Sequence, residues 1–349
     1  MKLERLKAND QPELKLNVLQ LKMKEQVSQK VKEKVYDFET VNCAVCNSAE
    51  KELIGEKDRY GLYFPVNVCR DCGLVYTSPR MTQAAYDAFY NTEYRKLYNG
   101  VESATKVFFD NQKKKGQHIF NYLSAHQLLK EDTKFVLEVG CGAGGIIDYF
   151  SDQGYEVKGI DLGAEYINYG KEKHGLDLET ATLADISTAK KPDLIIYSHI
   201  LEHILDINQE IELIKKFLKK NTLVYIEVPG VKEIHKNYQS NILRYFQNAH
   251  TFHFTLESLV NLMRKHGFEL VEGNQFVKSV FMYSGKPQQP KNDYQSVNDY
   301  IDQIEKKRHL YPFTINAIKM NTKNMMLSLL DKSGTRKYAK QLREKITGK

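Results

Sequence analysis

The rhythm of hydrophobic and polar positions changes three times along the chain. Over residues 1–40, Lys and Glu are mixed around Leu3, Leu6, Leu14, Leu16, Val18, Leu19 and Leu21, and Asn9-Asp10-Gln11-Pro12 interrupts the pattern. This predicts a charged, partly helical segment. From 41 to 82 the periodicity is lost and cysteines appear in pairs, and 84–98 then reads as an aromatic-rich helical stretch within a connector over 83–116. Between about 117 and 285, helical patterns alternate with short β-branched runs at 135–139, 157–161, 178–182, 194–198 and 223–228. That alternation is expected of a doubly wound parallel sheet. Thr255 is positioned to cap a helix ending at Lys265, and two further β-like runs follow at 268–272 and 277–284. Only Gly273-Asn274-Gln275-Phe276 separates them, too short for a parallel crossover, so they are predicted to form an antiparallel hairpin. The expected fold class is α/β: a mostly parallel sheet with a terminal antiparallel hairpin, preceded by a small cysteine module. Lys-rich helical patterning returns over 286–349.

Composition narrows the function classes. With 349 residues, 42% hydrophobic and 27% charged, the chain can bury a real core, and it lacks the bias of collagen-like, mucin-like or wholly disordered sequences. The net charge of +7 suggests an anionic partner such as nucleic acid until it is located. Residues 286–349 hold 14 basic against 6 acidic residues, a net +8, whereas 41–285 sum to −3 and 1–40 to +2. Nucleic acid is therefore not the expected partner of the central region, and the basic tail reads by default as a solvated face. No apolar run approaches the ~20 residues of a membrane span, and the opening Met1-Lys-Leu-Glu-Arg lacks an export pattern, so a cytoplasmic protein is expected.

Glu138-Val-Gly140-Cys-Gly142-Ala-Gly144-Gly145 follows a predicted strand and opens a helix, where missing side chains let a ligand approach the backbone amides. Gly140, Gly142 and Gly145 satisfy G-x-G-x-x-G with Asp161 21 residues on, so a dinucleotide fingerprint is formally present. A ligand-free strand-to-helix turn is the plain structural alternative. Taken with Gly159-Ile160-Asp161 and Ser198-His199-Ile200-Leu201-Glu202-His203, the loop resembles the successive motifs of class I S-adenosylmethionine-dependent methyltransferases over roughly 117–285. The resemblance implies a cofactor-binding set of Glu138, Gly140, Gly142, Gly144, Asp161, Leu162, Asp185, Ile186, Ser198 and His199. In it Glu138 lies near the amino-acid ammonium, Asp161 bridges the ribose hydroxyls and Asp185 accepts from the adenine amino group.

His199-Ile-Leu-Glu202-His203 also matches the H-x-x-E-H pattern of a zinc peptidase family, but it closes a buried run instead of sitting in a long helix. At the carboxyl end of a strand it faces the ligand crevice, which makes His203 a candidate general base, alongside the alternative of a histidine that only positions ligands. His250 and His253, in Asn248-Ala-His-Thr-Phe-His-Phe-Thr255, form a second pair. His250 is the other candidate catalytic residue, and His253 is expected to be structural. Sugar carbon-methyltransferases with a comparable layout carry Glu and Tyr where this chain has Ala249 and Gln247, which favours oxygen methylation.

Cys43-x-x-Cys46 and Cys69-x-x-Cys72, 22 residues apart, have zinc-ribbon spacing, and four thiolates without an open position indicate structural Zn²⁺. A dithiol redox site is the alternative. The run Cys69-Arg-Asp-Cys72-Gly-Leu-Val-Tyr76-Thr-Ser-Pro79, with Tyr86, Phe89, Tyr90 and Tyr94 after it, is similar to the zinc module preceding the catalytic domain in a bacterial group of these methyltransferases. That group often modifies sugars, nucleotide sugars or surface-polysaccharide precursors. The expected function is thus S-adenosylmethionine-dependent O-methylation of a small, sugar-linked acceptor in polysaccharide or secondary-metabolite synthesis. An RNA-modifying or nucleic-acid-binding protein using the zinc module and basic tail is the alternative.

Overall fold

The computed structural model describes residues 3–100 and 105–314, with Ala317, Ile318, Thr322 and Met325 beyond them, so most of the basic tail lies outside the described residues. Helix α1 (Val18–Lys32) opens with a capping box in which Asn17 and Gln20 exchange side-chain and backbone hydrogen bonds. The cysteine region follows as strands β1 (Phe38–Glu39), β2 (Lys51–Lys57), β3 (Tyr63–Cys69), β4 (Val75–Thr77) and β5 (Arg80–Met81). The aromatic stretch is helical but broken: α2 (Gln83–Phe89) and α3 (Arg95–Asn99) flank a π turn over Tyr90–Tyr94. Helix α4 (Lys106–Ala125) is capped by Thr105, so the connector boundary expected at 117 falls inside a continuous helix.

The α/β unit continues with β6 (Phe135–Val139), α5 (Gly145–Asp152), β7 (Glu156–Asp161), α6 (Ala164–His174), β8 (Leu178–Thr180), β9 (Leu194–Ser198), α7 (Ile207–Lys216) and β10 (Leu223–Glu227). Two short helices, α8 (Ile234–Asn237) and α9 (Ile242–Tyr245), precede β11 (Phe252–His253) and α10 (Leu256–Lys265), and β12 (Phe268–Gly273), β13 (Lys278–Tyr283) and α11 (Tyr294–Lys307) follow. One seven-stranded sheet runs β12-β13-β10-β9-β6-β7-β8. β10, β9, β6, β7 and β8 are parallel, and β13 is antiparallel to both β10 and β12. Numbered within the sheet, this order is 3-2-1-4-5-7-6, the class I methyltransferase fold with its terminal hairpin.

Period-two alternation sorts the strand residues between two helical layers. Val136, Leu194, Ile196 and Tyr225 pack with Phe109, Ile119, Ile146, Phe150 and Ile167 of α4, α5 and α6. Leu137, Ile195, Tyr197, Val224 and Ile226 pack with Ile207, Ile211 and Ile214 of α7 and Leu259, Leu262 and Met263 of α10. The second of these layers also contains Cys43, Cys69, Cys72, Leu74 and Tyr76, so the cysteine module shares the interior of the α/β unit.

The join is also made by backbone. β11 leaves the α/β unit to pair antiparallel with β4, with Phe252 opposite Tyr76 and His253 opposite Val75, completing the sheet β11-β4-β3-β2. The expectation of a merely solvated C-terminal face is corrected for α11. Its Val297, Ile301 and Ile304 are buried against Phe64, Val66 and Leu243, and Asp293 N–H donates to the Cys72 carbonyl at 3.4 Å. Arg5 pairs with Glu305 across the same surface, tying the N-terminal segment to this helix.

Candidate active site

The carboxyl ends of β6, β7, β8 and β9 form one edge, and the glycine loop lies across it. Gly140, Gly142 and Gly144 have φ of +73°, +56° and +80°, the left-handed region that side chains avoid. A Cβ on Gly140 would lie 2.1 Å from Ile200 Cδ1. Glu138 is 1% exposed, its Oε2 has no hydrogen-bond partner, and burial followed by the neighbouring Asp161 pushes its carboxyl up to about 8. Asp161 Oδ2 accepts from Gly142 N–H at 2.9 Å, and Oδ1 accepts from Gly163 N–H at 2.6 Å and Arg95 Nη2 at 3.1 Å. The Arg95 guanidinium also lies 4.0 Å over the Tyr166 ring. Asp185 is exposed and accepts from Thr182 N–H and Oγ, which lower its carboxyl below the ordinary value. Ser198 Oγ is buried without a partner, Leu162 is exposed and Ile186 is buried in the core. A buried acid with one oxygen left unpartnered, beside a cradle only glycine tolerates, fits a ligand with a cationic amine and close backbone contacts, as S-adenosylmethionine has.

Beyond β9 the chain turns sharply. His199 has φ +59°, its N–H donates to the Glu227 carbonyl at 2.7 Å, and Leu201–His203 forms a single 3₁₀ turn instead of the long helix a peptidase motif needs. Thr251 N–H, next to β11, donates to the Glu202 carbonyl at 2.9 Å, which brings His250 over this turn. Three imidazoles thereby surround one carboxylate. Glu202 Oε1 lies 3.6 Å from His199 Nδ1, 3.8 Å from His250 Nε2 and 3.9 Å from His203 Nε2. Glu202 is 1% exposed, and neither of its carboxylate oxygens has a hydrogen-bond partner.

Burial lowers both His203 and His250, against a raising effect of Glu202 at His203 and reinforced by the other histidines at His250, so both rings are neutral at pH 7. The rings of Tyr90 and Tyr94 stand 5.9 and 5.7 Å from His203, edge to face, because the π turn widens the helix there. His253 faces away, 5.0 Å from Phe246 and 5.3 Å from Tyr245, with both ring nitrogens unbonded. Burial alone drives it down to about 3. Glu202 was legible in the sequence as part of H-x-x-E-H but not as the centre of the cluster. Arg95 and Tyr94 lie in the aromatic stretch, whose chemistry gave no spacing signal toward Asp161 or His203.

The four cysteines of the two pairs also converge. Their sulfurs lie within 4.8 Å of one another, with Cys43 to Cys72 and Cys46 to Cys69 each at 3.4 Å, and all are free thiols. Each pair closes a tight turn whose next residue is left-handed, Asn47 at φ +62° and Gly73 at +80°. Asn47 N–H returns to the Cys43 carbonyl and Gly73 N–H to the Cys69 carbonyl. Four convergent thiols on two such turns fit a tetrahedral metal.

Residues 108–273 match the family model of a methyltransferase domain. Among curated proteins, the chain is 32% identical over 96 residues to the ubiquinone biosynthesis O-methyltransferase of Pelagibacter ubique, covering 26% of this chain and 40% of that protein. It is 24% identical over 196 residues to the enzyme of that name from Hydrogenovibrio crunogenus, covering 53% and 76%. It is 32% identical over 84 residues to the malonyl-[acyl-carrier protein] O-methyltransferase of Pectobacterium atrosepticum, covering 22% and 31%. The chain spans 40% and 38% of the length of the first two curated relatives it matches. Similar solved structures include the plantazolicin methyltransferase BpumL in complex with S-adenosylhomocysteine, at 18% identity, 64% and 88% coverage and a TM-score of 0.44. An S-adenosylmethionine-dependent methyltransferase from Clostridium acetobutylicum aligns at 13% identity, 57% and 99% coverage and a TM-score of 0.41. The sheet order is that of the class I methyltransferase fold, and residues 108–273 are similar to a methyltransferase domain. No helix among the described residues is long and apolar enough to cross a membrane.

Proposed function

We propose that the chain methylates a hydroxyl of a small, sugar-linked acceptor, such as a nucleotide sugar or surface-polysaccharide precursor, in the cytoplasm. The observation that carries the reading is the buried Glu202 carboxylate ringed by His199, His203 and His250 at the edge of the glycine loop. Bound S-adenosylmethionine supplies an electrophilic sulfonium methyl. Glu138 would hold its ammonium, Asp161 its ribose hydroxyls and Asp185 its adenine amino group, with Arg95 giving up its hydrogen bond to Asp161. Neutral His203 accepts the acceptor hydroxyl's proton as the oxygen takes the methyl, and Glu202, poised and unbonded, stabilises the imidazolium formed. His250 shares that role from the opposite side. Gln247 and Ala249, in place of the Tyr and Glu of the sugar carbon-methyltransferases, support oxygen as the acceptor atom. Cys43, Cys46, Cys69 and Cys72 would hold structural Zn²⁺, which stabilises the sheet on which β11, and so His250, depends.

The test is a methyl-transfer assay on a panel of nucleotide sugars and sugar acids, read as S-adenosylhomocysteine release. Asp161→Ala should weaken S-adenosylhomocysteine binding, whereas His203→Ala should keep binding and lower turnover by about 10²–10⁴, the range of a lost general base. Unchanged turnover in His203→Ala would remove the histidine from the mechanism.

A further inference from the structure

Arg59 lies in Asp58-Arg59-Tyr60-Gly61, a turn closed by Gly61 N–H on the Asp58 carbonyl at 3.0 Å, with Gly61 at φ +79°. Asp58 is wholly buried and spends its carboxylate on backbone. Oδ1 accepts from Tyr60 and Leu62 N–H, each at 2.9 Å, and Oδ2 from Asn248 N–H at 3.0 Å. Arg59 N–H donates to the Phe246 carbonyl at 2.9 Å, so the turn is fastened to the segment that carries Gln247, Asn248 and His250. The Arg59 side chain is thereby fixed beside the histidine cluster. Its Nη2 donates to Gln247 Oε1, and Gln247 Nε2 meets His250 Nε2. The guanidinium lies 5.0 Å over the Tyr60 ring and 5.4 Å over the Tyr98 ring.

The guanidinium forms no ion pair among the described residues: the adjacent Asp58 acts on it electrostatically but gives its oxygens to backbone N–H groups. Among the described residues its side-chain hydrogen bonds go to neutral atoms, Gln247 Oε1 and Tyr60 Oη, and its buried Nε has no partner at all. Asn248 Nδ2, on the facing segment and belonging to a residue only 7% exposed, is a second buried donor without an acceptor. Arginine cannot escape by losing its proton, and a guanidinium presents parallel donors that match phosphate and carboxylate. An oxyanion would complete both donors.

We infer that Arg59 and Asn248 form an oxyanion subsite beside the methyl-transfer centre, so that the acceptor carries a phosphate or carboxylate group. This rests on the methyltransferase reading above and names the acceptor's chemical class. The aromatic faces of Tyr60 and Tyr98 hold the guanidinium plane, and Gln247 couples it to His250, so anion binding at Arg59 also sets the orientation of that ring. A phosphoryl group and a sugar-acid carboxylate offer the same recognition chemistry, and separate probes distinguish them.

The experiment is calorimetric titration of the full chain with inorganic pyrophosphate and with glutarate, each with and without saturating S-adenosylhomocysteine. Arg59→Gln should weaken the better probe at least tenfold, about 1.4 kcal/mol. Arg59→Lys should fall between, keeping charge but not the fork. Asn248→Asp, which leaves Arg59 in place and adds a like charge, should also lose the probe. Stronger binding of pyrophosphate assigns a phosphoryl acceptor, and stronger binding of glutarate a carboxylate. Failure of both probes to bind the unaltered chain, or equal binding by Arg59→Gln, overturns the subsite. Absence of S-adenosylhomocysteine binding with retained, Arg59-dependent anion binding would instead overturn only the methyltransferase reading.

Discussion

His253 offers a sharp test of which histidine is structural. It is 1% exposed, caged by Phe64, Tyr245 and Phe246, and neither ring nitrogen is bonded. Its folded-state value lies near 3 because of burial, against about 6.5 in an unfolded chain. A histidine depressed in this way gives stability that is fully present above pH 6.5 and is lost as pH falls toward 3, because the unfolded chain takes up the proton first. At ~1.4 kcal/mol per pH unit below 6.5, the loss at pH 5 is about 2 kcal/mol. His253→Phe removes this dependence. At pH 8, relief of two unsatisfied ring nitrogens (roughly 1–3 kcal/mol) is offset by crowding from the larger ring (roughly 1–3 kcal/mol), so the two proteins should lie within about 2 kcal/mol of each other. Urea unfolding at pH 8 and pH 5 should therefore show the gap moving by about 2 kcal/mol in favour of the variant. Glu138 and Asp58, raised to about 8 and 7, add an opposite slope, but they are common to both proteins and cancel in the difference. A gap that stays constant between the two pH values would refute the reasoning, since His253 would then titrate as it does in water.

Four further outcomes can be measured on the same protein. Cys69→Ser should abolish a zinc content of one equivalent and unfold the β2-β3-β4-β11 sheet at lower urea, because structural zinc contributes roughly 10–16 kcal/mol of apparent binding free energy, as large as a domain's whole stability of ~5–15 kcal/mol. A second tightly held metal equivalent in elemental analysis would reassign Glu202, His203 and His250 as a metal site instead of a proton-accepting one. Gly140→Ala places a side chain at φ +73° and against Ile200, costing ~1–2 kcal/mol from backbone alone, and should weaken S-adenosylhomocysteine at least tenfold by calorimetry. RNA affinity, if detectable, should be weak and should show no specific component when salt is raised from 50 to 200 mM.

The runs at 135–139 and 194–198 agree with β6 and β9 residue for residue, since each is a short, almost wholly buried apolar stretch with polar chain around it. The Thr255 cap and the terminal hairpin were equally legible, being local chemistry and a loop too short to allow another topology. The third strand ends at Thr180 instead of 182, where an edge strand has only one neighbour to hold it. What pattern could not supply was contact at long range. The β4–β11 pairing joins a three-residue strand to a two-residue one across more than 175 positions, and no periodicity survives in elements that short. The π turn at Tyr90–Tyr94 is indistinguishable from α-helix in a stretch whose aromatics recur at helical spacing. Asp161 was singled out for a ligand, but its partner Arg95 lies 66 positions away, and Glu202 becomes the centre of a cluster only once β11 carries His250 to it.

Calorimetric titration of the full chain with S-adenosylhomocysteine tests the central claim most directly. One site per chain, weakened by Asp161→Ala and untouched by His203→Ala, is the predicted result. No heat of binding and no rise in melting temperature with either S-adenosylhomocysteine or S-adenosylmethionine at millimolar concentration would contradict it.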